Sequence, residues 1–153
     1  MAIRRFIGEW KELSNFEPVP IMYGGLKFHS VEHAYVASKS LDFSFRRDIA
    51  LMKAEDSGLA KKWGRNVKLR PNWNTRKVDF MRNFLRQKFG IHYFQEKLLS
   101  TKERELIEGN FWHDNFWGNC GCGKCKEIKG TNMLGKLLME IREVIKIENS
   151  SSG

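Results

Sequence analysis

A glutamate and a lysine stand seven residues apart in the segment HSVEHAYVASKS, residues 29–40. If the segment is helical, seven residues are almost two turns, so Glu32 and Lys39 lie on one face with Tyr35 between them. A carboxylate and an amine in this register could line a pocket and work on a bound substrate as proton carrier and nucleophile. They could equally form a narrow charged stripe that is exposed to water.

The helix around this pair has its own start signal. Ser30 suits the N-cap position, and Glu32 falls in the first turn, where the helix dipole favours a negative charge. Most other residues of the segment are small or apolar, which predicts a buried helix. Charges on such a helix must face water, another charge or a cleft.

The remaining pattern predicts an α+β fold, mostly helical, in a single domain with a small antiparallel sheet. The run VPIMYGGLKFHS, residues 19–30, predicts a β-hairpin around a Tyr-Gly-Gly turn. Helical signals recur in residues 43–55, 57–64, 75–90, 93–100 and 133–147. Gly64 is predicted to end one helix, Asn74 and Asn132 to cap two others, and ERELIEGN, residues 103–110, to form a strand.

Composition and charge narrow the class of protein and its partners. The chain has 153 residues, of which 41% are hydrophobic, and this suits one globular domain. We expect that domain to span residues 1–148, followed by a disordered tail at residues 149–153. The net charge of +9 favours anionic partners such as phosphorylated small molecules, nucleotides or nucleic acid. No apolar run reaches the roughly 18 residues of a membrane span, and no secretion signal is visible, so we expect a cytoplasmic protein without a membrane partner.

Three cysteines, an odd number, cluster in the motif CGCGKC as Cys120, Cys122 and Cys125. His113 stands upstream as a possible fourth ligand. Zinc sites do use Cys and His in tetrahedral sets, but usually as two separated pairs, and this chain has no second pair. We therefore expect free, reduced thiols and no metal or other cofactor.

An aromatic loop, NFWHDNFWG, surrounds Asp114 with four large rings: Phe111, Trp112, Phe116 and Trp117. Such rings form either a local core or a surface on which a base stacks. Asn132 follows at the predicted start of the last helix. Its neighbourhood could offer backbone N–H groups to a phosphate, or it could serve only as a helix cap.

Five motifs together resemble a known family. They are LSNFEP, GLKFHSVEHAYVASK, WGRNVKLRPNW, LIEGNFWHDNFWG and GTNMLGKLLMEIR. In this order they are similar to those of the YbiA-like, or NADAR, family, and the similarity runs from about Phe6 to Arg142. The chain lacks the glycine-rich nucleotide motifs, the hydrolase nucleophile elbow and the His-Glu-x-x-His metal motif.

The resemblance implies a YbiA-like fold and an N-glycosidase, a hydrolase of the C–N bond between a ribose and a heterocyclic base or amine. Members of the family act on phosphorylated early intermediates of riboflavin synthesis, and relatives act on ADP-ribose attached to guanine. The implied partner is therefore a small phosphorylated ribosyl substrate or ADP-ribosylated nucleic acid. The alternative is a non-catalytic nucleotide- or nucleic-acid-binding module that uses the same basic surface and aromatic loop.

The resemblance also implies roles for individual residues. N-glycoside cleavage develops positive charge on the ribose and negative charge on the departing nitrogen. The family's lysine route implies Lys39 as a nucleophile that forms a Schiff base, Glu32 as the proton-shuttling carboxylate and Asp114 as a second candidate acid. The residues expected to bind base, ribose or phosphate are Asn15, Tyr35, Arg47, Arg65, Trp117, Gly118 and Asn132.

Overall fold

A computed structural model of the chain describes residues 1–152. The chain divides into two compact units. The central unit comprises Asn15–Ile91, and the terminal unit combines Met1–Ser14 with the chain from His92 onward.

The central unit is built around helix α1, Val31–Ser38, in which every residue is buried. Strands β1 (Ile21–Tyr23) and β2 (Leu26–Phe28) form the predicted antiparallel hairpin. Three further helices pack against α1: α2 (Phe43–Ala50), α3 (Ser57–Asn66) and α4 (Trp73–Phe89). A helix that is apolar on most sides therefore lies, as its sequence predicts, at the centre of its unit.

The start of α1 is fixed by a buried polar network. Ser30 caps the helix as predicted, because its Oγ accepts the N–H of His33 at 3.1 Å. The His33 ring bonds to the Lys53 carbonyl oxygen through Nε2 at 3.1 Å and to Ser30 Oγ through Nδ1 at 2.6 Å. A carbonyl only accepts, so Nε2 carries the proton and Nδ1 accepts from Ser30. Ser57 Oγ lies 3.1 Å from Ser30 Oγ and ties the start of α3 to the same network.

Two helix boundaries differ from the sequence prediction. Gly64 lies inside α3, which continues to Asn66, so the prediction that it ends the helix is wrong. Its role is in packing: a methyl group at Gly64 would lie 2.9 Å from Val36 Cγ2 of α1. Helix α4 begins at Trp73, after Asn72 in the left-handed conformation (φ 59°), so Asn74 is not the cap.

The terminal unit contains two short 3₁₀ helices, Gly8–Leu13 and Gly123–Cys125, and two α-helices, α5 (His92–Leu99) and α6 (Met133–Ser152). Strands β3 (Gly109–Asn110) and β4 (Asn119–Cys120) pair in parallel, and Ile3 forms a single parallel bridge with Leu106. Most of residues 103–110 is therefore irregular. The predicted strand there is wrong except at its end, because within residues 1–152 its residues pair with a neighbouring strand only at Gly109 and Asn110 and otherwise form the single bridge at Leu106.

Helix α6 buries five of the six residues predicted to form its apolar face, and the sixth, Val144, is half-buried; the five are Leu134, Leu137, Leu138, Ile141 and Ile145. It also buries Arg142, whose Nη1 donates to Thr101 Oγ1 at 2.8 Å and to the Arg104 carbonyl oxygen at 2.9 Å. The predicted fold class, mostly helical with a small antiparallel sheet, is confirmed. The boundary at residue 148 stays a prediction; residues 149–152 continue α6, and Gly153 lies outside the described residues.

Within residues 1–152, no helix has both the length and the apolar character that crossing a membrane requires.

Candidate active site

Lys39 lies directly after α1, as the C-cap residue of that helix. Its Nζ donates to the Gly64 carbonyl oxygen at 3.4 Å and lies 5.3 Å from the centroid of the Tyr35 ring. The Tyr35 ring is buried and in turn contacts the Trp73 ring, with centroids 5.3 Å apart. The amine is therefore half-buried between an aromatic wall and the backbone of α3.

The surroundings of Lys39 favour its neutral form. Burial lowers the pKa of the ammonium group below its ordinary value. The charge of Glu32 opposes this and raises the pKa, whereas the positive charges of Lys61, Lys77 and Arg65 lower it further. The net result is a lowered pKa, and an amine with a lowered pKa is a better nucleophile near neutral pH.

Glu32 is buried in the first turn of α1. Its backbone N–H donates to the Asn15 carbonyl oxygen at 3.0 Å, and its charge acts on Lys39. The alternative of a water-exposed stripe therefore does not hold for this pair. A buried carboxylate and a half-buried amine on one helix are an arrangement that can move protons at a bound substrate.

Asn15 contributes a second polar group to the central unit. Its Nδ2 lies 3.6 Å from Met81 Sδ, and its Oδ1 is buried without a hydrogen-bond partner in the part of the chain that the structure describes. A buried acceptor without a partner is costly, about 1–3 kcal/mol, and such groups are rare in native proteins. A hydroxyl or N–H group of a ligand would satisfy this oxygen.

Of the two arginines predicted to bind phosphate, Arg65 is exposed on α3 and acts on Lys39 through its charge. Arg47 is exposed on α2, and within residues 1–152 its side chain forms no hydrogen bond or ion pair with another candidate. The sequence interpretation overlooked its neighbour Arg46, which turns inward. The Arg46 Nε donates to the Ser40 carbonyl oxygen at 2.8 Å and its Nη2 to Tyr23 Oη at 2.9 Å.

Arg70 was also overlooked. Its backbone N–H donates to the Lys39 carbonyl oxygen at 2.7 Å, and its Nη1 donates to Tyr23 Oη at 2.9 Å. Arg46 and Arg70 thus converge on one phenol, and neither forms an ion pair with a carboxylate among residues 1–152. A cleft of about 350 Å³ lies beside them, lined by Tyr23, Arg76, Asp79, Phe80, Asn83 and Phe84. The available sequence signal was the position of Arg70 inside the motif WGRNVKLRPNW.

In the terminal unit, Asp114 builds a turn. Its Oδ1 accepts the N–H groups of Phe116 at 3.1 Å and Trp117 at 2.9 Å. Asn110 braces the same turn, because its Oδ1 accepts the Asp114 N–H and its Nδ2 donates to the Asp114 carbonyl oxygen. The hydrogen bonds of Asp114 therefore explain the shape of the aromatic loop, and its role as an acid stays a prediction.

The other three candidates of the terminal unit also have structural tasks. Trp117 is half-buried and meets Phe116 edge-on, with centroids 4.8 Å apart. Gly118 leaves no room for a side chain, since a methyl group there would lie 2.0 Å from the Glu108 carbonyl oxygen. Asn132 has a left-handed backbone (φ 54°), and its side chain bridges the Glu108 N–H and the Leu106 carbonyl oxygen at 2.9 Å each.

At the start of α6, the backbone N–H groups that could have bound a phosphate are already engaged. The backbone N–H groups of Asn132, Met133 and Leu134 already donate to carbonyl oxygens of the aromatic loop, at 3.1, 2.9 and 3.0 Å. The acceptors are Gly118, Phe116 and Trp117 respectively. Since these donors are engaged, the helix start holds the loop in place.

The cysteines come together with His113. The ligand atoms of His113, Cys120, Cys122 and Cys125 all lie within 4.8 Å of one another. Burial raises the pKa of the Cys120 thiol, but hydrogen bonds, chiefly from Cys122, outweigh this and lower it to about 7. The expectation of no metal rested on the lack of a second pair of ligands in the sequence. Because His113 lies close to all three cysteines, four ligands are present and that lack no longer argues against a metal.

Comparison with known proteins identifies the family. Residues 5–146 match the NADAR domain. This chain belongs to the NADAR family. The NADAR chain is 37% identical to N-glycosidase YbiA of Shigella boydii over 143 residues, which are 92% of this chain and 84% of the relative. It is 34% identical to a riboflavin biosynthesis protein of Vibrio vulnificus over 86% of this chain and 34% of that protein.

A solved structure agrees with the fold. The NMR structure of Escherichia coli YbiA matches this NADAR chain with a TM-score of 0.80 and 34% identity, covering 97% of this chain and 86% of that one. The resemblance to the YbiA-like family is thereby confirmed. The central unit of the NADAR domain holds six of the candidate residues, namely Asn15, Glu32, Tyr35, Lys39, Arg47 and Arg65. The terminal unit holds Asp114, Trp117, Gly118 and Asn132.

Proposed function

We propose that this chain is an N-glycosidase that cleaves the bond between C1′ of a phosphorylated ribose and a heterocyclic amine, with Lys39 as its nucleophile. The observation that carries the proposal is the half-buried Lys39 amine, whose pKa is lowered, on the same helix face as the buried Glu32. The names of the relatives, N-glycosidase YbiA among them, support the reaction class.

The chemistry follows from these two side chains. The Glu32 carboxylate first takes a proton from the Lys39 ammonium group. The lone pair of the neutral Lys39 Nζ then forms a bond to C1′, the bond from C1′ to the base nitrogen breaks, and that nitrogen takes the proton from Glu32. The attacking nitrogen then loses two protons, one to O4′ as the ribose ring opens and one to the Glu32 carboxylate, which leaves an imine between Lys39 and C1′. Water adds to the imine, the C–N bond to Lys39 breaks, and the free sugar leaves.

Binding of the sugar phosphate draws on groups that flank Lys39. Arg46 and Arg70 bond to the carbonyl oxygens of Ser40 and Lys39, and their guanidinium groups have no carboxylate partner among the described residues. Such groups suit a phosphate. The buried Asn15 Oδ1 would accept a ribose hydroxyl or a base N–H group.

The substrate that we favour is an early riboflavin-pathway intermediate, a ribosylamino-pyrimidine phosphate, because two relatives are named riboflavin biosynthesis proteins. ADP-ribosylated guanine, alone or in nucleic acid, is the second substrate to test. The three cysteines without disulfides support a reducing, cytoplasmic setting.

The test is turnover of each substrate by the purified chain, followed as release of ribose 5-phosphate or ADP-ribose. Borohydride added during turnover should reduce the imine and leave a sugar adduct, which peptide mass spectrometry should locate on Lys39. The Lys39→Arg variant keeps the charge but cannot form the imine, so it should give neither turnover nor adduct. Lys62→Arg, an exposed position on α3, is the matched control and should behave as the wild type.

Near-native turnover by Lys39→Arg would exclude the lysine route. Tight binding of either substrate without turnover would favour the alternative, a non-catalytic nucleotide-binding module.

A further inference from the structure

We propose that His113, Cys120, Cys122 and Cys125 form a tetrahedral, structural zinc site in the segment between β3 and α6. This inference is independent of the N-glycosidase reaction, because all four residues belong to the terminal unit and none has a role in the proposed chemistry. It reverses the expectation from sequence that the thiols are free.

The distances are those of a zinc site. The His113 Nδ1 lies 3.3 Å from Cys122 Sγ, 3.3 Å from Cys125 Sγ and 3.9 Å from Cys120 Sγ. With Zn–S bonds of about 2.3 Å and Zn–N bonds of about 2.0–2.1 Å, a tetrahedron places nitrogen and sulfur about 3.6 Å apart. The His113 nitrogen therefore lies from each of the three sulfurs at about the distance that separates two ligand atoms of one zinc ion.

The donor set selects the metal. Three thiolates and one imidazole are the Cys₃His set of structural zinc sites, and soft sulfur ligands disfavour magnesium and calcium. All four positions of the tetrahedron are filled by the protein, which leaves none for a substrate or water. This is the arrangement of a structural site rather than a catalytic one.

Groups around the ligands also suit thiolates. The Cys122 N–H donates to Cys120 Sγ at 3.4 Å, and Asn115 Nδ2 donates to Cys125 Sγ at 3.4 Å. Outer hydrogen bonds of this kind orient metal ligands and tune their charge. Zinc with three thiolates carries a net charge of −1, and the same loop supplies Lys124, Lys126 and Lys129 as compensating cations.

Burial is consistent with a site that forms as the loop folds. Cys120 and Cys125 are buried, Cys122 is partly exposed, and His113 is exposed. Three thiols packed this closely gain no stability from one another once they lose their protons, because like charges repel. A divalent cation at their centre removes that repulsion, and the exposed side leaves it a path from solvent.

The bound zinc ion would cross-link the loop that carries the aromatic residues. His113 has a left-handed backbone (φ 69°), an uncommon conformation for a side chain of this size, and it turns the imidazole toward the cysteines. Its ligand bond would join the residue before Asp114 to β4 and to the 3₁₀ helix Gly123–Cys125. One ion would then close the three consecutive chain segments between His113 and Cys120, Cys120 and Cys122, and Cys122 and Cys125.

The first measurement uses the wild-type protein, purified without chelator and with reduced thiols. Elemental analysis should find about one zinc ion per chain. Replacement of the metal by Co²⁺ should give the strong visible absorption of tetrahedral cobalt thiolate. A strong chelator should remove the metal and lower the melting temperature, because the binding energy of a structural metal is part of the folding energy.

Ligand variants give a matched comparison. His113→Ala and Cys122→Ser should lose most of the zinc, while His113→Cys, which restores a fourth ligand, should retain it. His92→Ala, at an exposed histidine on α5 outside the cluster, should bind zinc as the wild type does.

Each contrary outcome decides against the site. Wild-type protein that carries no zinc and shows no cobalt spectrum after metal is added would overturn the proposal. So would iron in place of zinc, or a disulfide between two of the three cysteines found by mass spectrometry after thiol alkylation. Zinc that remains in full in both His113→Ala and Cys122→Ser would show that the metal binds elsewhere.

Discussion

Helix α1 and the glycine-rich loop, residues 109–132, both carry candidate functional groups, but they hold them in different ways. In α1 the helix itself sets the register of Glu32 and Lys39, and Ser30 within the same segment starts it. In the loop, Asp114 and Trp117 are held by groups outside their own turn: the Asn110 side chain bonds to the Asp114 backbone, and the Trp117 carbonyl oxygen accepts the N–H of Leu134 in α6.

This difference between α1 and the loop determines whether a substitution changes activity or stability. A side chain on a buried, regular helix can lose its reactive atom while the helix remains, because the backbone hydrogen bonds do not depend on it. A side chain that builds an irregular loop cannot be removed without releasing backbone groups. We therefore expect changes in α1 to alter activity first and changes in the loop to alter stability first.

The strongest test of this contrast is Lys39→Ala. Loss of the nucleophile should lower turnover by about 10³-fold or more, since removing a covalent nucleophile disables the reaction. The free energy of unfolding should change by no more than about 1 kcal/mol, because a half-buried ammonium group gains little from its site. Steady-state kinetics and denaturant unfolding measure the two effects. A variant that unfolds readily would show that Lys39 is part of the scaffold.

Asn132→Ala should produce the opposite result. The substitution removes the hydrogen bonds that the Asn132 side chain forms with the Glu108 N–H and the Leu106 carbonyl oxygen, and it forces alanine into a left-handed backbone. Together these should cost about 2–4 kcal/mol of unfolding free energy. Asn132→Gly removes the same hydrogen bonds without the backbone strain and should be less destabilised, by about 1 kcal/mol. Equal stability of the wild type and Asn132→Ala would contradict the expectation that changes in the loop alter stability first.

Gly64→Ala tests whether the stability of α1 depends on its close packing against α3 at Gly64. The added methyl group would lie 2.9 Å from Val36 Cγ2 and 3.4 Å from Lys39 Nζ, so α3 must move. Overpacking of this kind should cost about 1–3 kcal/mol. Gly58→Ala is the matched control on the same helix, because a methyl group there meets nothing within 4 Å, and it should stabilise the protein by about 0.5–1 kcal/mol. Thermal melts of both variants provide the comparison, and an equal response would contradict the packing argument.

Glu32→Gln should produce the smallest effect on the fold and a directional effect on Lys39. The charge of Glu32 raises the pKa of Lys39, so removing that charge should lower this pKa further. Lys39 should then become reactive at lower pH, which competitive acylation followed by mass spectrometry measures without turnover. Glu55→Gln, at an exposed glutamate, is the control and should leave the profile unchanged. A shift to higher pH in Glu32→Gln would contradict the assigned electrostatics.

The contrast between features set within one helix and features set by distant partners explains what could be predicted from the sequence. The Ser30 cap, the register of Glu32 and Lys39 and the apolar face of α6 follow from local periodicity, and the structure has all three. Gly64 looked like a helix end because the partner that demands a glycine, Val36, lies on another helix. Residues 103–110 looked like a strand because alternation alone does not reveal whether a partner strand exists.

The side chains that sequence reasoning overlooked have long-range partners. Arg46 and Arg70 meet at Tyr23, which lies 23 and 47 residues away. His113 reaches its cysteines only because β3 and β4 bring the two ends of a loop together. Spacing in the sequence does not contain these distances, so only the ligand types, and not their convergence, could be predicted.

The buried His33 network gives this protein an internal limit to acid tolerance. Burial lowers the pKa of His33, so protons bind it more readily once the chain has unfolded. The penalty is absent above about pH 6.5, grows as the pH falls below that value, and levels off below the folded-state pKa. The charge of His29 lowers the same pKa, while the Lys53 carbonyl and the charge of Asp56 raise it. Loss of activity in acid would thus have two origins. One is fast protonation of the Lys39 amine, and the other is slower unfolding of the hydrogen-bond network around His33 at the start of α1.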